Sequence, residues 1–411
     1  ENIILFHNMN SSAAAEIVND VESEFGGDGQ AICQEALIKV SSEFVKKCLE
    51  NFEMSEDVNA VDAISIVFRM ANEAFWGCIV EPLVGSGQNR AFEVQFCPVQ
   101  EIFEARDCRM HRYWLQGFIE GVKEKLPVRG FNLAIDRVIP EGADACRFAI
   151  RKRQGKKVNP LENDIDTGGN EALDSTEENE HSKRSGTIKG KAPEAPPKME
   201  RIEKLRLNIP YAKSKERLRR VARTTEESPI ANILISAQLM ANTVLEIFER
   251  VESRYDAAGQ KICAQAIVKV GYDLGKQVLE GGKLPDNVTP IEKMMLYVSW
   301  LNYYPYASPE IVQIIDDYNY FLEVLWCPVQ DIFKPIDCRI MRYLMEGHLK
   351  AASEHGLEGY DMFCERTMPD GAENCKFKMW KVREGEENRW HEYTNFINEK
   401  ALQYIQRKQN G

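Results

Sequence analysis

The sequence predicts an α+β protein in which one domain is used twice. Three observations carry that expectation. Cys97-Pro98-Val99-Gln100-Glu101-Ile102-Phe103 recurs 230 positions later as Cys327-Pro328-Val329-Gln330-Asp331-Ile332-Phe333. Apolar residues fall at helical spacing in the first part of each copy. They alternate, as in strands, in the last part. Other matches keep the offset: Asp107-Cys108-Arg109 with Asp337-Cys338-Arg339, Arg112-Tyr113 with Arg342-Tyr343, and Gly117 with Gly347. Upstream, Val21-Glu22-Ser23 matches Val251-Glu252-Ser253, Gly29-Gln30 matches Gly259-Gln260, and Cys33 matches Cys263. A one-residue deletion then aligns Gly142-Ala143 and Cys146 with Gly371-Ala372 and Cys375. So many matches in register mark an internal repeat. The expected domains are 12–153 and 232–383, with a charged linker at 154–231 and a C-terminal helix at 384–411.

Taken in order, residues 12–52 read as one or two helices, with Ile32, Ala36, Leu37, Val40, Phe44 and Val45 on one face. Residues 60–78 continue the helical pattern, and Ala91 to Phe96 alternates as a strand. Val99 through Val122 reads as a single helix inserted into the sheet. Phe131 to Ile139 and Cys146 to Ile150 read as a hairpin across Pro140-Glu141-Gly142-Ala143-Asp144, and the second copy repeats it from Met362 to Met379. Between the copies the chain is acidic and then rich in Gly, Lys and Pro, which is the composition of a disordered linker. Its basic stretch, Lys198 to Arg223, reads as a solvated segment or as a site for an anionic partner. The tail carries Trp390, Tyr393, Ile397 and Ile405 near helical spacing and is expected to pack on the second copy.

Composition limits the function. A hydrophobic fraction of 44% suits a globular protein, and no apolar run approaches a membrane span. The net charge of −12 argues against a general nucleic-acid binder. Glu1 to Ser12 has no basic region followed by an apolar stretch, so no signal peptide is expected. With 11 cysteines, an odd count, the expectation is reduced thiols in a cytoplasm.

Four cysteines per copy survive the duplication: Cys33, Cys97, Cys108 and Cys146, matched by Cys263, Cys327, Cys338 and Cys375. Cys48, Cys78 and Cys364 have no cysteine counterpart and fall outside these sets. Cys33 reads as a packed helix residue. Cys97 ends a strand, Cys108 lies on the next helix and Cys146 opens the last strand, so the three can meet at one end of the sheet. Glu93 and Glu323, four residues before each Cys-Pro, are retained as well. Such a set suits zinc or an iron–sulfur cluster. No C-x-x-C is present, and small buried hydrophobes remain the alternative reading.

Other candidates are weaker. His111, close in sequence to Cys108, is a possible base, and Cys327 and Cys338 are possible nucleophiles. Arg109 with Arg112, and Arg339 with Arg342, stand at i, i+3 and could clamp a carboxylate or form surface salt bridges. Trp326 and Tyr320 belong to an aromatic concentration in the second copy that reads as a ligand pocket or as core.

The order of features (Phe25-Gly26-Gly27-Asp28-Gly29-Gln30 before an Ala-rich helix, then Cys-Pro, then Gly142-Ala143-Asp144-Ala145-Cys146-Arg147-Phe148) resembles the L-2-amino-thiazoline-4-carboxylic acid hydrolase-like family. That family is distantly similar to vinyl-reductase-type small-molecule-binding domains. The resemblance covers both copies. It implies two vinyl-reductase-type domains, each with N-terminal helices and an antiparallel sheet with an inserted helix, enclosing a small-molecule pocket. Some such domains bind zinc through cysteines and a glutamate near the final hairpin. The matching hairpin cysteines here are Cys146 and Cys375, without a Glu-x-x-Cys at 136–138.

Two functions follow as expectations. One is a cytoplasmic enzyme acting on a small cyclic or amide-like acid, through a thiolate or a cysteine-bound metal. The other is a ligand- or redox-sensing module in which the two copies form an intramolecular pseudo-dimer.

Overall fold

The structure, a computed structural model, describes residues 2–50, 60–70, 72, 79–83, 90–97, 99, 102–125, 131–152, 228–383, 385–386 and 390–410. The linker expected at 154–231 lies outside them apart from its last four residues, as do residues 71 and 73–78 of the second expected helix. The described residues form seven helices and two antiparallel sheets. The α+β class is therefore as the periodicities indicate.

The first half runs α1 (Asn2–Leu49), α2 (Ala60–Met70), β1 (Ile79–Leu83), β2 (Arg90–Phe96), α3 (Cys108–Lys125), β3 (Phe131–Arg137) and β4 (Cys146–Lys152). The second runs α4 (Ser228–Gly281), α5 (Pro290–Tyr303), β5 (Glu310–Asp316), β6 (Asn319–Val324), α6 (Arg339–Glu354), β7 (Tyr360–Arg366) and β8 (Cys375–Lys381). The tail is α7 (Trp390–Asn410). The sheet orders, β1-β2-β4-β3 and β5-β6-β8-β7, are the same arrangement. Their registers coincide as well. Val94 faces Cys146 as Val324 faces Cys375, and the bulge between Ile135 and Arg137 returns between Cys364 and Arg366.

Two expectations need correction. The described residues of the segment 99–107, which are 99 and 102–107, do not join the inserted helix. Phe103 N–H bonds Val99 O at 2.9 Å, and a 3-10 turn at Ala105–Asp107 precedes α3. The Asp107 carboxylate accepts the Glu104 N–H at 2.9 Å, closing that turn separately, and Asp337 does the same for Lys334 N–H at 2.8 Å. The hairpin is also longer than a five-residue turn, because strand pairing stops at Arg137 and the 3-10 turn Ile139–Glu141 fills the connection. Each sheet also has an edge strand that alternation did not reveal, β1 and β5. Pro82 lies in β1, at an edge where a missing N–H is tolerated.

Helices α3 and α6 pack on the long helices α1 and α4, and α1 packs along α4. Gly117 and Gly347 allow the first of these approaches. A Cβ on Gly117 would sit 2.3 Å from Ile38 O, and one on Gly347 would sit 2.1 Å from Val268 O.

The α1–α4 contact is reciprocal. Lys39 pairs with Glu246 at 2.9 Å and Lys269 with Glu16, which are equivalent residues with their roles exchanged. Phe25 stacks on its own counterpart Tyr255, with centroids 3.7 Å apart and planes 4° from parallel. Both long helices kink at matched positions, Gly26 at φ 59° and Asp256 at φ 50°. Helix α7 packs on the second half as expected. Asn398 accepts from Tyr343 OH, Arg342 Nε donates to Thr394 Oγ1 at 2.7 Å, and Lys334 Nζ donates to Tyr404 OH at 2.9 Å. Among the described residues, no helix is long and apolar enough to cross a membrane.

Candidate functional site

Three of the four retained cysteines in each half lie near one another; Cys33 and Cys263 are buried apart from them on the long helices. In the first half, Cys97 follows β2, and β2 neighbours β4, which Cys146 opens. The 3-10 turn leading to Cys108 packs against the 3-10 turn of the final hairpin. Burial raises the Cys108 thiol to about 12, and the nearby Cys146 and Cys97 sulfurs push it the same way. Burial also raises Cys146. The second half repeats this around Cys338, whose thiol is raised by burial and then by Cys327, Cys375 and Cys364. Cys327 is raised by burial to about 12, with Cys375 adding to the shift.

Cys364 is the member that sequence reading missed. Its equivalent in the first half is Ile135, so the duplication gave no sign of it. It faces Phe377 across the sheet, and its thiol is raised to about 12 by burial and then by Cys375. The second cluster thus holds four thiols and the first three. All nine described cysteines are free thiols.

Crowded, desolvated thiols stay neutral, because each thiolate would lie in a dry site close to other sulfurs. A soft cation would invert that preference. The donor set fits such a group by kind. Ile139 N–H donates to Cys146 Sγ at 3.1 Å and Met368 N–H to Cys375 Sγ at 3.2 Å, and an N–H aimed at sulfur favours the thiolate. Among the described residues, however, no group of three or more His, Cys, Asp or Glu side chains is arranged so that it could hold a metal ion.

The two glutamates read as ligands are engaged elsewhere. Glu93 pairs with Arg137, and Glu323 lies 3.4 Å from Arg366, a matched ion pair across the sheet that accounts for their retention. The remaining letters of Asp-Cys-Arg are explained too. The Asp caps the turn, the Cys joins the cluster, and the Arg pairs with the long helix. Arg109 pairs with Glu22 and donates to Asn19 Oδ1 at 3.0 Å. Arg339 pairs with the fully buried Glu252 at 2.5 Å, its guanidinium 5.5 Å above the Phe248 ring. Burial pushes Glu252 upward against the pull of Arg339.

The arginine pairs therefore do not form clamps. Arg342 bonds Thr394 of α7, and Arg112 is half-buried on α3. His111 is buried, bonded to Asn72 Oδ1 at 3.1 Å, and lowered to about 4 by desolvation. Trp326 and Tyr320 are fully buried core residues. Tyr306 instead bonds the buried His348 at 2.8 Å, a pair with Phe118 at the first-half position of the histidine.

A cleft of about 270 Å³ opens between the halves and under α7, lined in part by Glu43, Lys47, Glu246, Glu249, Arg339 and Tyr404. With Glu252 and Asp337 its wall carries five carboxylates against three cations, Lys47, Lys334 and Arg339.

No family model matches the chain, and no solved structure matches it. The chain is similar to an uncharacterized protein of Archaeoglobus fulgidus, 29% identical over 200 residues. The match takes in 88% of that relative but 47% of this chain.

Proposed function

We propose that the chain is a thiol-based sensor module in a reducing compartment, with a soft metal held in each half as zinc or an iron–sulfur cluster. Cys97, Cys108 and Cys146 would hold it in the first half, and Cys327, Cys338 and Cys375 in the second. The observation that carries this reading is the nearness of three retained thiols, one buried and two half-buried, at the same end of both sheets, each set with a backbone N–H on one sulfur. Bound metal would supply the positive charge that keeps these sulfurs as thiolates. It would also join the strand end, the turn and the hairpin. The reciprocal α1–α4 contacts support an intramolecular pseudo-dimer through which one half's state reaches the other.

A small-molecule ligand would occupy the cleft between the halves. Its excess of carboxylates favours a neutral or cationic ligand over the acid implied by the hydrolase-like resemblance. Arg339, the arginine in that wall, is already paired with Glu252. The binding module is therefore the better-supported reading of the two.

Cobalt titration of the anaerobically purified full chain tests it. Thiolate-to-cobalt absorbance is expected in the wild type, about halved when Cys327, Cys338 and Cys375 are all replaced by Ser. Binding should tighten steeply as pH rises, because each raised thiol must lose its proton. A wild-type chain with no such absorbance would sink the proposal.

A further inference from the structure

The outer face of the second sheet differs from its counterpart in a way the thiol clusters do not explain. By strand alternation, Phe321, Lys378 and Phe363 form one cross-strand row on this face, and Glu323 with Lys376 the next. Trp380 stands diagonal to Phe321, about 7–8 Å away by sheet geometry. The equivalent row in the first half is Ala91, Ala149 and Ala134, and Arg151 holds the place of Trp380. Three large rings and a lysine thus replace three alanines and an arginine on the same backbone.

The rings come with cations. Lys376 Nζ lies 4.5 Å from the Phe321 ring centre, Lys378 Nζ 5.8 Å from Trp380, and the Arg383 guanidinium 5.0 Å from Tyr318 at the adjoining hairpin end. Phe363 is 43% exposed, and Ile311 on the edge strand 59%. The charges facing this surface are Lys376, Lys378, Arg366 and Arg383 against Glu323, Glu365 and, beside Arg383, Asp316, with Asp361 buried at one end. Four cations thus stand here against three carboxylates outside the core, on a chain whose net charge is −12.

The geometry points to single-stranded nucleic acid as the occupant, with bases stacking on Phe321, Phe363 and Trp380 and phosphates meeting the lysines. An open four-stranded antiparallel sheet with aromatic platforms and interleaved cations suits unpaired bases, which present a π-face whatever their identity. Duplex would not fit, because its bases are already stacked. Self-association through this face is disfavoured, because Lys376 and Lys378 would be brought towards their own copies.

Fluorescence anisotropy of a labelled 12-nucleotide oligo-U, titrated with the full chain, tests the proposal. Binding is expected at low salt, with a 12-base-pair duplex at least about tenfold weaker. Phe321→Ala and Phe363→Ala should each weaken oligo-U binding about tenfold, while Phe321→Tyr retains it. Lys376→Ala and Lys378→Ala should each reduce the slope of log affinity against log salt by about 0.7. The proposal is overturned by no binding at low salt, by equal affinity for duplex, or by a Phe321→Ala/Phe363→Ala double variant that folds and binds as the wild type does. A chain that dimerises through this face and ignores oligo-U would overturn it too.

Discussion

The two halves share a sheet order, a register and a bulge, yet they spend their side chains differently. Common to both are Glu22 with Arg109 and Glu252 with Arg339, the capping aspartates and the close-approach glycines, which hold the fold, and the neighbouring thiols. Among the described residues, the second half alone has Cys364, the Tyr306–His348 pair, the docked α7 and the aromatic sheet face. The comparison separates residues that the fold requires from residues added to one copy.

The largest expected difference concerns the buried ion pair. Arg339→Ala leaves the fully buried Glu252 without its cation and should cost about 3–5 kcal/mol. Arg109→Ala should cost less, because Arg109 and Glu22 keep some contact with solvent. Urea unfolding of the two variants measures the gap, and equal losses would break the contrast.

Three histidines are buried, His7, His111 and His348, and the last two should make the protein acid-sensitive to different degrees. Desolvation lowers His348 to about 3 and His111 to about 4, against an ordinary value near 6.5. Below pH 6.5 the unfolded chain takes up protons that the folded chain refuses, so stability falls from there towards each folded value. His348→Phe, the residue the first half carries at that position, should flatten the acid limb of a stability–pH curve more than His111→Phe does. A curve left unchanged by either substitution would contradict the assignment.

Smaller effects follow from the backbone. Gly347→Ala forces a Cβ against Val268 O and should cost about 1–3 kcal/mol, with Gly117→Ala similar. At the kinks the sign should differ between halves. Asp256 holds a positive φ that its counterpart Gly26 adopts freely, so Asp256→Gly should stabilise by about 1 kcal/mol and Gly26→Ala should destabilise. Thermal denaturation of both variants checks this pair of signs.

Much of this architecture was legible from residues. The duplication located both sheets, and strand alternation with Cys97, Cys108 and Cys146 pointed to a common end of the sheet. The Arg109–Glu22 pairing was not visible because it joins residues 87 positions apart, and the i, i+3 arginines read as a clamp or as surface salt bridges. The break before α3 was hidden because Ile102 and Phe103 continue a helical rhythm that the extended Glu104 and the Asp107-closed turn interrupt. Cys364 was hidden because comparison of copies reveals only what both retain. For Trp326 and Tyr320 the sequence left pocket and core open, and packing places both in the core.

The central claim is that the thiols of both halves are a metal-holding set. Elemental analysis of the full chain purified anaerobically, with free thiols counted in parallel, tests it most directly. The account predicts metal in both halves, with about half lost in the Cys97→Ser/Cys108→Ser/Cys146→Ser variant. A folded wild-type chain carrying no metal, taking none up, and showing every thiol free would contradict it.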